Sequence, residues 1–502
     1  MIAKICHQLL AIYGHHELSR FKKNLTCLES TQRQVLSEMM TGLSKTSKWS
    51  SFSKDSSYEN LIQKIPVRSY LDFSSEIDDQ RQSKKPVLTC EVVRFEPTSG
   101  STQSRKWIPY SKAFLKELNT AAIAWMGDLY QNHPEIKNGR HYWSLSWLPQ
   151  ELRSLTSSDD SELFPWYQRV ILQKTMASSP KIASLPDADA AWWATLVSLA
   201  ACKDLTLVSV WSPTFWLKVI EDLQIHWEEI SHAVSGGQWG RYQDLLKAHL
   251  GQLTSRDLRS ISPLQKDFLN QLWPQLKIIT SWDSSTSTSW ALKIKILFPH
   301  VTFQGKGLWA TEGVVTIPFQ EKKVLALNSH FFEFRDLESQ EIFPSWNLTL
   351  GREYQPILWT STGLLRYALP DRLRMTSTLT GTPCFEFIGR LQSVDLVGEK
   401  ISAEWVQNLF SDNLDWQAWA LVASANPAPK YYLFHRSDKN IEIDAALSSL
   451  HHYKVAREIG QLHKAEAIFV SDFEQLLRLL QKGSEAGRNK IEILYQVEKL
   501  IF

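Results

Sequence analysis

Apolar residues at helical spacing alternate along this chain with short β-rich runs, and the alternation outlines its elements. Residues 1 to about 85 read as helical and polar, interrupted by a Ser/Lys-rich loop, SKTSKWSSFSKDSS. PVLTCEVVRFEP then reads as a strand leading into the hydroxyl-rich EPTSGSTQSRKWIPYS. Ser111 is placed to cap a long helix that carries Phe114, Leu115, Leu118, Ala122, Trp125, Met126 and Leu129 along one side. AAWWATLVSLAAC is too short for a bilayer and reads as a buried helix.

Further on, DLTLVSVW, LKIITSW, VTFQGKGLWATEG, VVTIPF, KVLALN and FFEFRD are β-rich, with a helix expected near Trp216 to Glu229. This pattern predicts an α/β architecture with large, partly parallel sheets. Near Gly389 it restarts on a smaller scale. AWALVASA, KYYLFHR and AEAIFVSD read as strands, and IDAALSSLHHYKVAREIG and FEQLLRLLQKG as helices. A small α+β domain is expected there, giving domains at 1–390 and 391–502. The glycine-rich SGGQWG lacks the preceding strand of a dinucleotide fingerprint and reads as a loop between helices.

Composition narrows the partners. A hydrophobic share of 43% and a charged share of 22% fit a soluble globular protein with a sizeable core. The net charge is +2, from 55 basic and 53 acidic residues, with no dense Lys/Arg block, so nucleic acid is not expected as a partner. Five scattered cysteines with no C-x-x-C pair argue against a disulfide framework or zinc site and for a reducing compartment. The start lacks a signal-peptide pattern and no run is long enough to span a bilayer, so a cytoplasmic protein without a membrane partner is expected, and a monomer. The adjacent pairs His15–His16 and His451–His452 would point their rings apart on a helix, which speaks against metal binding.

Three places offer chemistry. The hydroxyl-rich stretch could turn backbone N–H groups and hydroxyls toward phosphate oxygens, with Arg105 and Lys106 adding charge, or be a plain polar turn. Trp309, Ala310, Thr311 and Glu312, in that order, offer a stacking face, an oxygen contact and a hard carboxylate suited to Mg²⁺, although Glu312 alone also reads as a solvated loop acid. Asp371, just past LLRY, can accept hydrogen bonds from both hydroxyls of a ribose, or be a turn residue after Pro370. The 21 tryptophans suffice to line a large apolar pocket, although most are expected in the core.

Together, in this order and spacing, these motifs resemble the three nucleotide motifs of the adenylate-forming superfamily of acyl-CoA synthetases, luciferases and peptide-synthetase adenylation domains. Within it the chain is similar to the acyl-acid amido synthetases known from plants as the auxin-responsive family, and specifically to their compact bacterial relatives. The likeness covers nearly the whole chain. It includes IPVRSYLDFSSEI, TSGSTQSRKWIPYS, LTLVSVWSPTF, ITSW, FPHVTFQGKGLWATEG, YQPILWTSTGLLRYALPD, FEFIGRLQSVDLVGEK, LSSLHHYKVAREIGQL and a lysine after QKGSEAGRN.

The resemblance implies a large N-terminal adenylate-forming domain with mixed sheets and a small mobile α+β C-terminal domain. It implies an ATP-dependent ligase in which a substrate carboxylate attacks the α-phosphate, giving an acyl-adenylate and pyrophosphate. The acyl group then passes to an amine, with an amino acid expected. Ser99, Gly100, Ser101, Thr102 and Gln103 would grip the phosphates; Trp309, Ala310, Thr311, Asp371 and Arg390 would hold the rest of the nucleotide; Glu312 would hold Mg²⁺. Lys490, with Lys400 as its rival, would bring charge to the α-phosphate, and Val210, Trp211, Ser212 and Trp282 are expected near the acyl group.

The chain departs from the family pattern at four points. Ser104 stands where a glycine is usual, Trp309 replaces a tyrosine, Gln355 stands where an acid is usual, and Pro370 replaces the glycine before Asp371. Two other readings stay open, an adenylating enzyme with a thiol acceptor such as coenzyme A, and a nucleotide-binding homologue without turnover. Neither the acid nor the amine is legible.

Overall fold

A computed structural model describes residues 2–52, 57–97, 106–144, 171, 173–391, 393–410, 419–436, 441–480 and 493–499. The chain divides into two compact units. One comprises Met1–Glu96, Trp107–Ser284 and Thr288–Ile388, and the other Pro97–Lys106, Ser285–Ser287 and Gly389–Phe502.

Two main sheets frame the larger unit. The strands Arg140–Trp143, Leu205–Ser209, Ile278–Ser281 and Thr302–Gly305 lie in that order and are all parallel. The middle two are buried at every position, the uninterrupted burial of a sheet covered on both faces. Their core is shared with the helices Ala188–Ala201, Pro213–Ile225 and Trp227–Ser235. The apolar AAWWATLVSLAAC run, all but its last residue, lies within the first of these helices, whose start is capped by the Asp187 carboxylate.

The second sheet has the order Ile342–Pro344, Phe331–Asp336, Glu353–Trp359, Asp371–Leu379, Thr382–Arg390, Lys322–Leu325, Thr316–Phe319, with Tyr367–Ala368 also pairing with Glu353–Trp359. It shares a core with the helices Ile2–Asn24, Leu28–Leu43 and Lys112–Asn132. Ser111 caps the last of these as expected, its hydroxyl accepting from Phe114 N–H at 3.2 Å.

Three expected elements differ in extent. Only Val92–Pro97 of PVLTCEVVRFEP is a strand, because the buried Gln80 side chain satisfies the backbone before it. Its oxygen accepts from Leu88 and Thr89 N–H at 2.7 and 3.2 Å, and its amide donates to the Thr89 carbonyl at 2.6 Å. The helix expected near Trp216 to Glu229 breaks at His226 into Pro213–Ile225 and Trp227–Ser235. IDAALSSLHHYKVAREIG forms two helices, Ile443–Leu447 and His451–Glu458, with Leu450 extended between them. Asp444 ties the two together, accepting from Arg457 Nε at 2.9 Å and from the Tyr453 hydroxyl at 2.7 Å.

The smaller unit holds the sheet order Glu466–Phe469, Lys430–His435, Trp419–Asn426, Leu494–Lys499, antiparallel at its centre and parallel at both edges. Phe473 and Leu476 of the helix Phe473–Leu480 pack with Ala420, Val422, Phe434 and Tyr495 of the sheet.

Candidate functional site

QGKGLWATEG runs from the end of a parallel strand into a tight hairpin. Trp309 pairs with Val314 and Ala310 with Gly313, which leaves Thr311 and Glu312 at the tip. Side chains from two other elements hold that tip. The Tyr110 hydroxyl donates to the Thr311 carbonyl at 2.9 Å, and the Tyr367 hydroxyl donates to Glu312 Oε1 at 3.1 Å. Below the tip, Val314 N–H donates to His330 Nε2 at 3.1 Å, so Nδ1 carries the ring proton and donates it to Glu117 Oε2 at 2.9 Å. Glu117 also accepts from the Ser361 N–H and hydroxyl. One glutamate on the long helix therefore fixes both the hairpin and the TSTG loop.

That loop is tightly wound. The Ser361 carbonyl accepts from the hydroxyls of Thr89 and Ser111 at 2.6 and 3.1 Å. Gly363 has φ +84°, and a Cβ there would lie 2.1 Å from the Leu88 carbonyl oxygen, so no other residue fits. Arg366 follows with φ +57°. Its guanidinium donates to both oxygens of the fully buried Glu333 at 2.8 and 2.9 Å and to the carbonyls of Ile62 and Ile65 at 3.1 and 2.8 Å. Glu333 also accepts from the Tyr58 hydroxyl at 3.0 Å and Trp359 Nε1 at 2.7 Å.

These anchors present Tyr367 and Asp371. Burial, the Glu312 carboxylate and, further down, the Tyr70 and Asp371 charges hold the Tyr367 hydroxyl well above its ordinary pKa, so it remains a donor. The early IPVRSYLDFSSEI stretch lies alongside, where Arg68 bridges to Tyr367 and the Tyr70 hydroxyl accepts from Trp107 N–H at 2.8 Å. Asp371 is buried at the first position of its strand, directly after the exposed Pro370. Gln355 has a structural reason to be an amide. It donates to the Leu369 carbonyl at 2.7 Å while accepting from Arg335 at 2.9 Å, and a carboxylate could not do the first.

The residues expected near an acyl group gather where the parallel strands end, the side on which such sheets form ligand crevices. Val210 is buried, and Trp211, Ser212 and Trp282 are half-buried. Trp282 N–H and the Ser281 hydroxyl both donate to the Trp211 carbonyl, at 3.0 and 2.9 Å. The Trp211 ring centroid lies 5.9 Å from that of Trp282 and 5.9 Å from that of Trp309. Trp309 in turn lies 6.0 Å from Trp125, which lies 5.9 Å from Trp143. Trp309 is thus both part of the hairpin and a member of a five-tryptophan group.

Lys306 belongs to the same group. It is only 6% exposed, and its Nζ sits 3.8 Å from the Trp211 centroid and 5.8 Å from that of Trp125. Sequence reasoning missed Lys306, Trp125, Trp143, Tyr70, Tyr110 and Tyr367 as site residues. Several lie inside runs that carried the resemblance, but spacing gives no sign of which side chains turn inward.

Ser99, Gly100, Ser101, Thr102, Gln103, Ser104 and Lys490 lie outside the described residues. Arg390 ends the strand Thr382–Arg390 and, like Lys400, belongs to the smaller unit. Lys400 has φ +52° and follows the buried Glu399. The Glu399 carboxylate accepts from Leu396 and Val397 N–H at 2.7 and 2.8 Å and from the Tyr431 hydroxyl, and burial, then the Asp395 charge, raises it to about 7. Burial and then the Lys400 charge lower His452 to about 4. The His451 and His452 rings do not diverge as expected; they meet edge to face with centroids 5.5 Å apart. Among the described residues no group of three or more His, Cys, Asp or Glu is placed to hold a metal ion, and no helix is long and apolar enough to cross a membrane. All five cysteines are free.

Comparison with known proteins adds a family. The model of the GH3 family N-terminal domain matches residues 17–303, and that of the GH3 family central domain matches residues 323–390. Indole-3-acetic acid-amido synthetase GH3.4 of Arabidopsis thaliana is 20% identical over 405 residues, 72% of this chain and 67% of the relative. GH3.15 of the same plant, also named an indole-3-acetic acid-amido synthetase, is 21% identical over 67% of this chain and 63% of its own length. The chain thus spans about two thirds of the length of these relatives. Among solved structures, AtGH3.15 acyl acid amido synthetase in complex with 2,4-DB aligns over 97% of this chain and 95% of its own, with a TM-score of 0.67 at 16% identity. A 2-hydroxyisobutyryl-CoA ligase aligns over 96% and 90%, with a TM-score of 0.52 at 11% identity. At such identities the structural likeness establishes the adenylate-forming fold and nothing finer.

Proposed function

The chain belongs to the GH3 family, and from that premise we propose that it is an ATP-dependent acyl-acid amido synthetase. A carboxylate is a poor electrophile, so the substrate acid attacks the α-phosphate of ATP, releasing pyrophosphate. The acyl-adenylate then gives its acyl group to an amine, an amino acid, and AMP leaves. The observation that carries this reading is one hairpin joining two environments. Its tip sets Glu312 against Tyr367, close to the buried Asp371, and its first strand sets Trp309 among tryptophans at the ends of the parallel strands.

In this reading Asp371 accepts from the ribose hydroxyls, Trp309 stacks on the base, and the hydroxyl-rich loop 99–103 holds the phosphates. The Glu312 carboxylate is a hard oxygen donor, which fits a magnesium ion that takes one protein carboxylate and completes its shell with phosphate oxygens and water. When bound, such an ion offsets charge building on the phosphates. Residues 391–502 act as a mobile domain supplying Lys490, or its rival Lys400, and the protein works as a cytoplasmic monomer.

The acceptor is assigned as an amine because the relatives matched in sequence are named amido synthetases. The test is a panel of aryl and alkyl acids with ATP, scored for pyrophosphate and then for AMP with amino acids or coenzyme A. AMP release with amino acids is expected. Release that requires coenzyme A would sink the amide route, and no pyrophosphate from any acid would sink adenylation.

A further inference from the structure

We propose that Glu117 is a positioning residue of the nucleotide site, whose carboxylate holds the hairpin carrying Glu312 and the loop leading to Asp371 in one fixed arrangement. This rests on the ATP-binding reading above and deepens it. Glu117 belongs to none of the three nucleotide motifs. It stands on the helix Lys112–Asn132, and every hydrogen bond its side chain makes among the described residues is one it accepts. From one side His330 donates through Nδ1 at 2.9 Å, while its Nε2 accepts from Val314 N–H at 3.1 Å, just past Glu312. From the other side Ser361 donates its hydroxyl and its N–H, the latter at 3.2 Å to each oxygen. The Ser361 carbonyl is taken as well, accepting from Thr89 and from Ser111, the cap of the same helix, at 2.6 and 3.1 Å. Tyr110 adds a second hold on the hairpin, at the Thr311 carbonyl just before Glu312. Residues 110 to 117 therefore grip the hairpin on both sides of Glu312 and the loop at Ser361.

This arrangement needs a carboxylate. An ionised glutamate offers two oxygens and no proton, so it can accept from His330 and Ser361 at once. A glutamine of the same shape brings one oxygen and an NH₂ group, which must face a donor on one side or the other. The His330 side chain has no exposed surface and that of Glu117 is 14% exposed, so these links are largely closed to water. Stability alone gives little reason to place them there, because a buried polar pair gains little over apolar side chains of the same volume. What hydrogen bonds add is set length and direction. Two motifs far apart in sequence are thereby held in register before ATP arrives, which lowers the ordering cost of binding a ligand that must touch both.

Calorimetric titration with ATP and magnesium, with no acid present, reads this placement without turnover. It is run at a temperature where circular dichroism shows every variant folded, because a mere loss of stability raises the apparent Kd only as the folded fraction falls. Glu117→Gln should raise Kd at least about tenfold, the effect of turning a charged acceptor against a buried donor. Ser361→Ala removes one of the donors and should raise Kd by less. Adding it to Glu117→Gln should cost less than it costs alone, since both cut the same link. Lys116→Gln, at the exposed neighbouring position of the helix, should bind ATP as the wild type does. Wild-type Kd in a folded Glu117→Gln variant, or full additivity of the two substitutions, would overturn the proposal. Should Glu117→Gln not fold, Ser361→Ala decides alone, and wild-type Kd in that variant would overturn it too. Wild type that binds ATP but releases no pyrophosphate with any acid would leave the proposal standing and sink adenylation, whereas wild type that binds no ATP would sink both.

Discussion

Glu333 has no accessible surface, yet it accepts four hydrogen bonds, two of them from Arg366. A buried pair adds little against an apolar replacement of both partners, but removing one charge strands the other. Glu333→Gln should therefore lower the stability of the larger unit by about 3 kcal/mol or more. A urea midpoint unchanged in that variant would show that Arg366 finds another partner. Glu312 behaves differently, because the Tyr367 hydroxyl from which it accepts can donate to an amide oxygen as well as to a carboxylate. Glu312→Gln should leave the thermal midpoint within about 2 °C of wild type and lower magnesium-dependent pyrophosphate release at least about tenfold, since a neutral amide is a weaker ligand for a hard dication. Full activity would place the metal elsewhere. The sequence singled out Glu312 and Asp371 as candidates from motif order. It did not single out Tyr367 or Glu333, because their contacts come from far along the chain, Tyr58 lying 275 residues from Glu333.

At the scale of elements, the helix Ile2–Asn24 docks on Lys112–Asn132 through two glycines. A Cβ on Gly127 would lie 2.3 Å from the Gly14 carbonyl oxygen. Alanine in place of a helical glycine normally gains about 1 kcal/mol, but overpacking costs about 1 to 3, and here the obstacle is backbone that cannot rotate away. Gly127→Ala should therefore lower the thermal midpoint, and a rise would mean the helices separate at no cost. The same docking carries a pH dependence. His7 Nε2–H donates to the Gly139 carbonyl and Nδ1 accepts from the Tyr130 hydroxyl, both at 2.8 Å, and burial lowers the ring to about 4. The unfolded ring takes its proton near 6.5, so between about 6.5 and 4 the unfolded state binds more protons and stability falls as pH drops. His7→Gln should flatten that part of the stability–pH curve, and an unchanged slope would remove His7 as its source. Helix positions were readable from the apolar stripe. The Gly14–Gly127 crossing was not, since a glycine in a stripe looks the same whether it meets backbone or water.

At the scale of the molecule, the alternation of strands and helices announced an α/β protein, and its restart near Gly389 announced the strands and helices of the smaller unit. What it could not announce was neighbourhood, such as Lys322–Leu325 lying beside Thr382–Arg390, because pairing across long loops leaves no local pattern. The role of the C-terminal residues is likewise beyond local pattern, and Lys490 tests it. The resemblance assigns a late lysine to the α-phosphate, reached when a mobile domain closes. A charge that arrives only after both substrates are bound stabilises the transition state without holding ATP more tightly beforehand. Lys490→Ala should then slow acyl-adenylate formation at least about tenfold, a loss of roughly 1.4 kcal/mol or more, with ATP affinity and thermal midpoint little changed. Lys464→Ala, an exposed lysine of the smaller unit outside the matched motifs, serves as the control and should do almost nothing. The readout is trapping of the adenylate with hydroxylamine. Wild-type rates for Lys490→Ala together with a large loss for Lys400→Ala would transfer the role to Lys400, on its fixed turn beside Glu399, and wild-type rates for both would end the claim that a lysine of this unit takes part in adenylation.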